Sequence, residues 1–360
     1  MKAAVFYSPR DIRIEEIEVP KLSEKEVLIK VKAAGICGSD LHYYKGEGSR
    51  ELPSGTVLGH EFSGEVVAIG EEVTNIKVGN RVAVEPLIGC GKCLFCQIGK
   101  YHLCNQLRHI GFELKGAFAQ YTKAPEKKAF KLPNNVSYEE AALLDCYAVS
   151  VHAIHRVKVE VNNIVVIFGG GPLGLTTLEV VKATGAKKVI VVDLSDNILQ
   201  IAKNAGADIV INASKVDVIK EINKVTNELG ADIVFDCVGG MAPTFGQAIQ
   251  VVRPGGTIGI IGVYSEFPQM NLRKAYTKEI NIVFIWSYAK WGIFTEFEIA
   301  LDMLAQGKLN ATPLITHKFP LNEIRQAFTI AENKKDFSAV KVLITPWINK
   351  NKKGKKNNIG

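Results

Sequence analysis

The six residues Gly169-Gly170-Gly171-Pro172-Leu173-Gly174 constrain this chain more than any other segment. They follow the apolar run Ile164–Phe168 and open a helical pattern from Leu173 to about Thr184. A G-x-G-x-x-G turn between a buried strand and a helix lets the backbone approach a pyrophosphate, whose charge meets amide N–H groups at the helix N-terminus. Asp193 closes the next apolar run, 19 residues beyond Gly174, where a carboxylate accepts hydrogen bonds from ribose hydroxyls. That carboxylate repels a 2′-phosphate, and no Arg or Lys lies between Leu194 and Ile201 to attract one. The turn therefore points to NAD rather than NADP. Gly169, Gly171, Pro172, Leu173, Gly174 and Asp193 are the expected cofactor-binding residues.

Around this turn the rhythm is strand–helix alternation from about Val151, with further strands expected at Lys188–Val192, Asp208–Ile211, Ile233–Asp236, Thr257–Ile261 and Ile280–Ile285. Fully apolar strands separated by helices form a parallel sheet covered on both faces. The first ~145 residues read differently, as short β-segments such as EVLIKVKAAG, SGEVVAIG and NRVAVEP punctuated by glycine turns. Such spacing gives an irregular, barrel-like all-β domain. With 360 residues the chain exceeds what one core accommodates, about 250–300 residues. The expected division is a β-domain over 1–150, a Rossmann domain over 151–288 and a return to the first domain over 289–346, where a helix Glu296–Ala305 precedes a final strand AVKVLIT.

Cys90, Cys93, Cys96 and Cys104 lie within fifteen residues. Four thiolates at this spacing suit the tetrahedral cage of a structural zinc ion. Two disulfides are the competing arrangement, and a reducing cytosol disfavours them. A closed cage leaves no position for a substrate, so any reaction must occur elsewhere. Cys37 and the pair His60-Glu61 offer a thiolate, an imidazole and a carboxylate that can hold zinc while leaving a coordination position open.

Charge excludes little. The formal net charge is +7, but Lys350, Lys352, Lys353, Lys355 and Lys356 supply five of those charges in a nearly apolar-free tail. Residues 347–360 are expected to be a solvated, disordered tail, with no nucleic-acid or membrane partner. The first twenty residues lack a signal-peptide pattern, and the charge-free run Val161–Leu178 contains Asn162, Asn163, three glycines and Pro172, which suit no membrane span. A cytoplasmic setting is expected.

In the order CGSDLH, GHEFSGEVVAIG, GNRVAVEP, the four-cysteine lobe and GGGPLGL, the sequence closely resembles the zinc-dependent medium-chain alcohol/polyol dehydrogenases over about residues 1–346. It looks most like their sorbitol, threonine and butanediol dehydrogenase branches. The resemblance implies a GroES-like catalytic domain beside the Rossmann domain, and two zinc ions per chain. Cys37, His60 and Glu61 would surround the catalytic ion, and the four clustered cysteines would bind the structural one. Aligning on VHA places Asp145 where polyol-type relatives have Glu, directly or through water near the metal; Cys146 matches the alcohol dehydrogenases' ligand type only with a register shift, so Asp145 is favoured. Ser39 and His42 match the family's proton relay through the cofactor ribose, with Asp40 an alternative second-layer residue that orients a ligand.

The implied activity is oxidation of a secondary alcohol, polyol or similar hydroxyl to a ketone with NAD, in a homodimer or homotetramer. Two alternatives share parts of the pattern: a zinc-independent quinone or enoyl reductase, and a non-catalytic protein that senses NAD and zinc. Tyr43, Tyr44, Trp286 and Tyr288 are candidates to line the pocket, Cys237 is placed at a strand end beside the cofactor or as a structural thiol, and His152 and His155 read as packing residues.

Overall fold

The computed structural model describes residues 1–48, 50–264, 266 and 270–347. Its sheets bear out the expected fold class. Six parallel strands stand in the order Ile209–Asn212, Lys188–Asp193, Ile164–Phe168, Ala231–Asp236, Val252–Ile260, Asn281–Phe284. In chain order this is third, second, first, fourth, fifth, sixth, the doubly wound Rossmann arrangement. Alternation along the strands sends residues to both faces. Val165, Ile167, Val189 and Val191 join a core with Leu175, Leu178 and Leu199, whereas Val166, Phe168, Ile190 and Val192 join another with Ile222, Phe245 and Ile249. Burial on both sides explains why these strands read as continuous apolar runs. The fifth strand begins earlier than the sequence suggests, because Val252 pairs with Ala231 before an irregularity carries the chain to Thr257 opposite Ile233.

The remaining large sheet has seven strands, in the order Ala129–Lys131, Arg81–Val84, Glu61–Ile69, Glu26–Gly35, Lys341–Ile344, Ile315–Phe319, with Tyr121–Pro125 also paired to Glu26–Gly35. Strand Glu26–Gly35 alternates half-buried and buried residues over most of its length, the signature of a sheet with one face on a core. Strand Lys341–Ile344 inserts antiparallel to Glu26–Gly35 and parallel to Ile315–Phe319, so the end of the chain is built into the sheet formed by its beginning. Trp347, at the start of the expected tail, donates from Nε1 to the Val31 carbonyl at 2.8 Å. The rest of that tail lies outside the described residues.

Helix Leu144–Val157 bridges the two sheets' surroundings and contains residue 150. It packs on helix Pro172–Thr184, with Ser150 Oγ 2.8 Å from Thr176 Oγ1 and the Tyr147 hydroxyl donating to Glu179 at 2.7 Å. Glu179 also accepts from the Asn310 amide at 2.8 Å, tying the returning segment to the same pair of helices. Asp145 and Cys146 occupy the first turn of the bridging helix, which points them back at the β-domain. Among the described residues, no helix is long and apolar enough to cross a membrane.

Candidate active site and metal centres

The glycine turn has the backbone its sequence demands. Gly169 sits at φ 90°, in the left-handed region that suits glycine, and Gly171 caps the helix that Pro172 and Leu173 open. A Cβ on Gly174 would run into the Gly169 carbonyl oxygen, so the turn closes only with glycine there. Asp193 is fixed from both sides: Oδ2 accepts from the Gly170 amide at 2.7 Å and Oδ1 from the Ser195 amide at 3.0 Å. The carboxylate is thereby held at the end of its strand beside the turn. The turn also stands where strand order reverses, between Ile164–Phe168 and Ala231–Asp236, the place where open α/β sheets bind ligands. Cys237 follows the second of these strands, its amide donating to the Phe168 carbonyl at 3.0 Å, and burial raises its thiol pKa. The turn therefore fits a dinucleotide.

The sulfur atoms of Cys90, Cys93, Cys96 and Cys104 all lie within 4.8 Å of one another. Zinc–sulfur bonds of about 2.3 Å in a tetrahedron separate the sulfurs by about 3.8 Å, and Cys90 and Cys96 are 4.0 Å apart, well beyond a disulfide. All seven cysteines are free. Amides aim at the cage: Cys93 N–H reaches Cys90 Sγ, and Cys90 and Gln106 N–H reach Cys104 Sγ, each at 3.4 Å. Amides of Lys92 and Cys93 pull the Cys90 thiol pKa down to about 6, while burial pushes Cys96 up to about 12. Thiolates this close repel unless a cation sits among them, and the donor set fits zinc.

A second group forms from residues far apart in sequence. Gly35 and Glu61 are cross-strand partners, so the chain leaving one strand at Cys37 meets the chain entering the other at His60-Glu61. Ligand atoms of Cys37, His60 and Glu61 lie within 4.8 Å of one another, and the buried His60 Nδ1 has no hydrogen-bond partner. Asp40 backs the group. It accepts from the Cys37 amide at 2.9 Å and the Gly59 amide at 3.4 Å, and stands 3.7 Å from His60 Nδ1. Burial disfavours an imidazolium at His60, yet the charges of Asp40 and Cys37 raise its pKa well above the ordinary value. The local field favours positive charge, and a thiolate, imidazole and carboxylate set of this kind fits an open zinc site.

Glu61 is clamped on both oxygens. The buried Lys341 ammonium donates to Oε2 at 2.5 Å, and the Cys146 thiol donates to Oε1 at 3.2 Å. Burial would raise the Glu61 pKa, but the charges of Lys341 and His60 hold it below the ordinary value. Burial and the Glu61 charge push the Cys146 thiol well upward. Asp145 falls outside the group of three; the Tyr288 hydroxyl donates to its Oδ1 at 2.5 Å, and burial lifts its carboxyl pKa to about 6. Ser39 lies half-buried in the first turn after Cys37, and His42 faces Glu47 at 3.4 Å with 44% of its side chain exposed.

Several neighbours escape sequence reading. The His109 ring stands edge-on to His60 with centroids 4.9 Å apart, and Phe112 packs on both. Burial and the His60 charge lower the His109 pKa to about 3. Of the four aromatic candidates, Tyr288 reaches Asp145 and Tyr43 packs on Phe112, whereas Tyr44 packs on Phe328 in the β-domain core and Trp286 is largely exposed. His152 and His155 do more than pack: their Nδ1 atoms bond the two oxygens of buried Glu296 at 2.7 and 3.0 Å. Their i,i+3 spacing on one helix face was the available signal.

A β-domain carrying two metal-type ligand groups, joined to a Rossmann domain with an intact glycine turn, defines a two-domain class of oxidoreductase. Residues 23–134 match the alcohol dehydrogenase GroES-like domain, and residues 172–306 match the zinc-binding dehydrogenase domain. Sorbitol dehydrogenase of Bacillus subtilis (strain 168) is 38% identical over 351 residues, covering 96% of this chain and 97% of that protein. The crystal structure of 2R,3R-butanediol dehydrogenase from Bacillus subtilis superposes with a TM-score of 0.87 at 35% identity, over 96% of this chain and 99% of that one. A structure from E. coli CFT073, described as a short chain alcohol dehydrogenase complexed with cofactor NADH, gives a TM-score of 0.87 at 32% identity, over 96% and 99% of the two chains. The chain belongs to the zinc-dependent medium-chain alcohol/polyol dehydrogenase family.

Proposed function

We propose that this protein transfers a hydride from the carbinol carbon of a secondary alcohol, polyol or similar hydroxyl to C4 of NAD+, giving a ketone and a proton. The observation that carries this reading is the assembly of Cys37, His60 and Glu61 into one ligand group in a chain that also holds a well-formed dinucleotide turn. Those three residues would hold a catalytic zinc ion, with Asp145 alongside directly or through water, and Cys90, Cys93, Cys96 and Cys104 would hold a structural one. Zinc bound at the open site supplies Lewis acidity, which lowers the pKa of an alcohol toward neutrality. Asp40 orients the group through the Cys37 and Gly59 amides. Ser39 Oγ would accept the alcohol proton while giving up its own, which passes through the cofactor ribose to His42, exposed to solvent, and out. Gly169 to Gly174 bind the pyrophosphate and Asp193 the adenosine ribose, where its charge disfavours NADP. In this reading residues 1–150 and 289–346 form the catalytic unit and 151–288 the cofactor unit.

The test is a reduction assay with NAD and NADP over polyols, threonine, butanediol, sugar acids and simple alcohols, together with metal analysis. Expected results are turnover of at least one secondary alcohol, faster with NAD than with NADP, and two zinc ions per chain. Stoichiometric NAD binding without turnover of any substrate would replace this reading with the sensor; one zinc per chain would favour the zinc-independent reductase.

The same reading includes a homo-oligomer. Strand Asn281–Phe284 is an edge of the parallel sheet, and Phe284 at its end and Trp286 just beyond it are 67 and 53% exposed. An open edge flanked by exposed apolar side chains suits pairing with a second copy. Sedimentation should give a dimer or tetramer, and Phe284→Glu should shift it toward monomer; a native monomer would overturn the assignment.

A further inference from the structure

We propose that His109 is a substrate-binding residue that determines specificity: its Nε2 accepts a hydrogen bond from the hydroxyl adjacent to the reacting carbon. The inference rests on the function proposed above and names a specificity-determining residue of that site.

The His109 ring is fixed before any substrate arrives. Its Nδ1 lies 2.7 Å from the Ile110 carbonyl, which can only accept, so Nδ1 carries the proton and Nε2 presents a lone pair. Its amide donates to Glu113 at 2.8 Å, and the ring is braced edge-on against His60 and against Phe112 at 4.8 Å. The residue is half-buried, and among the described residues no group bonds Nε2. The two carboxylates at the site are already engaged, Asp145 by Tyr288 and Glu61 by Lys341 and Cys146. Phe112, packed on His109 at 4.8 Å, provides an apolar wall that can bind a carbon chain but cannot distinguish a hydroxyl from a methylene. A fixed acceptor beside the metal ligand His60 makes that distinction. A site built to hydrogen-bond a hydroxyl discriminates strongly against the analogue lacking it, because the acceptor is then left unpaired.

The matched substrates 2,3-butanediol and 2-butanol, which differ by one hydroxyl, test this with the zinc-loaded enzyme and NAD. The wild type should prefer the diol in kcat/KM by about tenfold, the value of one net hydrogen bond in a partly desolvated site. His109→Phe keeps the aromatic wall and should lose that preference, through a higher KM for the diol, with 2-butanol changed less than about twofold. His109→Gln, whose amide oxygen reaches the Nε2 position, should restore part of it. Zinc content should stay the same in both variants. The proposal is overturned if the wild type shows no diol preference, if both substrates weaken together in His109→Phe, or if that variant loses zinc. Calorimetric binding of the two alcohols to protein loaded with zinc and NADH gives the same comparison without catalysis. Absence of all turnover would therefore count against the proposed reaction, while the binding preference still decides the role of His109.

Discussion

Cys37→Ala is expected to abolish turnover and to lower bound zinc by about one ion per chain, while the four-cysteine cage stays loaded. Cys37 is the only thiolate in the trio, and its partners cannot replace it: Glu61 is held by Lys341 and Cys146, and His60 is already a member of the group. The Cys146 thiol is engaged elsewhere, donating to Glu61 Oε1 at 3.2 Å. An open site has few protein ligands, so losing its softest donor removes most of the binding free energy that competes with water. Metal analysis should show the lost zinc, and circular dichroism should show an unchanged fold, since Cys37 is half-buried between a strand and the helix it precedes rather than in a core. Unchanged activity in this variant would sink the catalytic assignment. Loss of both zinc ions together would show that the two sites are not independent.

The second large effect concerns Lys341. Its side chain is 1% exposed, and its ammonium meets a Glu61 carboxylate that is fully buried. Removing one partner of a buried ion pair leaves the other charge without compensation, at a cost of about 3–5 kcal/mol. Lys341→Met should therefore destabilise the zinc-free protein by about that amount, measured by denaturant unfolding in the presence of chelator. Bound zinc supplies positive charge near Glu61, so the deficit should shrink in the zinc-loaded protein. Adding Glu61→Gln to Lys341→Met should recover much of the zinc-free loss, because the uncompensated charge is then gone. A single-variant cost below about 1 kcal/mol would mean that water, not Lys341, satisfies Glu61.

These two residues show where sequence reading stops. Cys37, His60 and Glu61 are legible as ligand types, and their motifs resemble those of a known family, but nothing local says that Cys37 meets His60. That meeting depends on Gly35 standing opposite Glu61 across two strands. Lys341 is further out of reach: it lies 280 positions from Glu61 and looks like an ordinary lysine in a short apolar strand. Only the insertion of that strand beside Glu26–Gly35 turns it into the counter-charge of a metal ligand. His109 gave no sequence signal, since one histidine in a two-residue strand has no period or spacing to read. The bonding of Glu296 by His152 and His155 likewise depends on a helix that begins more than a hundred residues later.

The sequence by itself determined the features whose parts lie close along the chain. The glycine turn, its strand and helix, and the four-cysteine cage each close within a short loop, so spacing and residue type suffice to specify them. The parallel sheet was legible for a related reason: strands buried on both faces must be apolar throughout. The tertiary structure decided which charges face one another in the catalytic group, and which polar atom beside it remains free. Strand register and the return of the chain's end set those pairings, and electrostatic complementarity has meaning only once burial has fixed the distances.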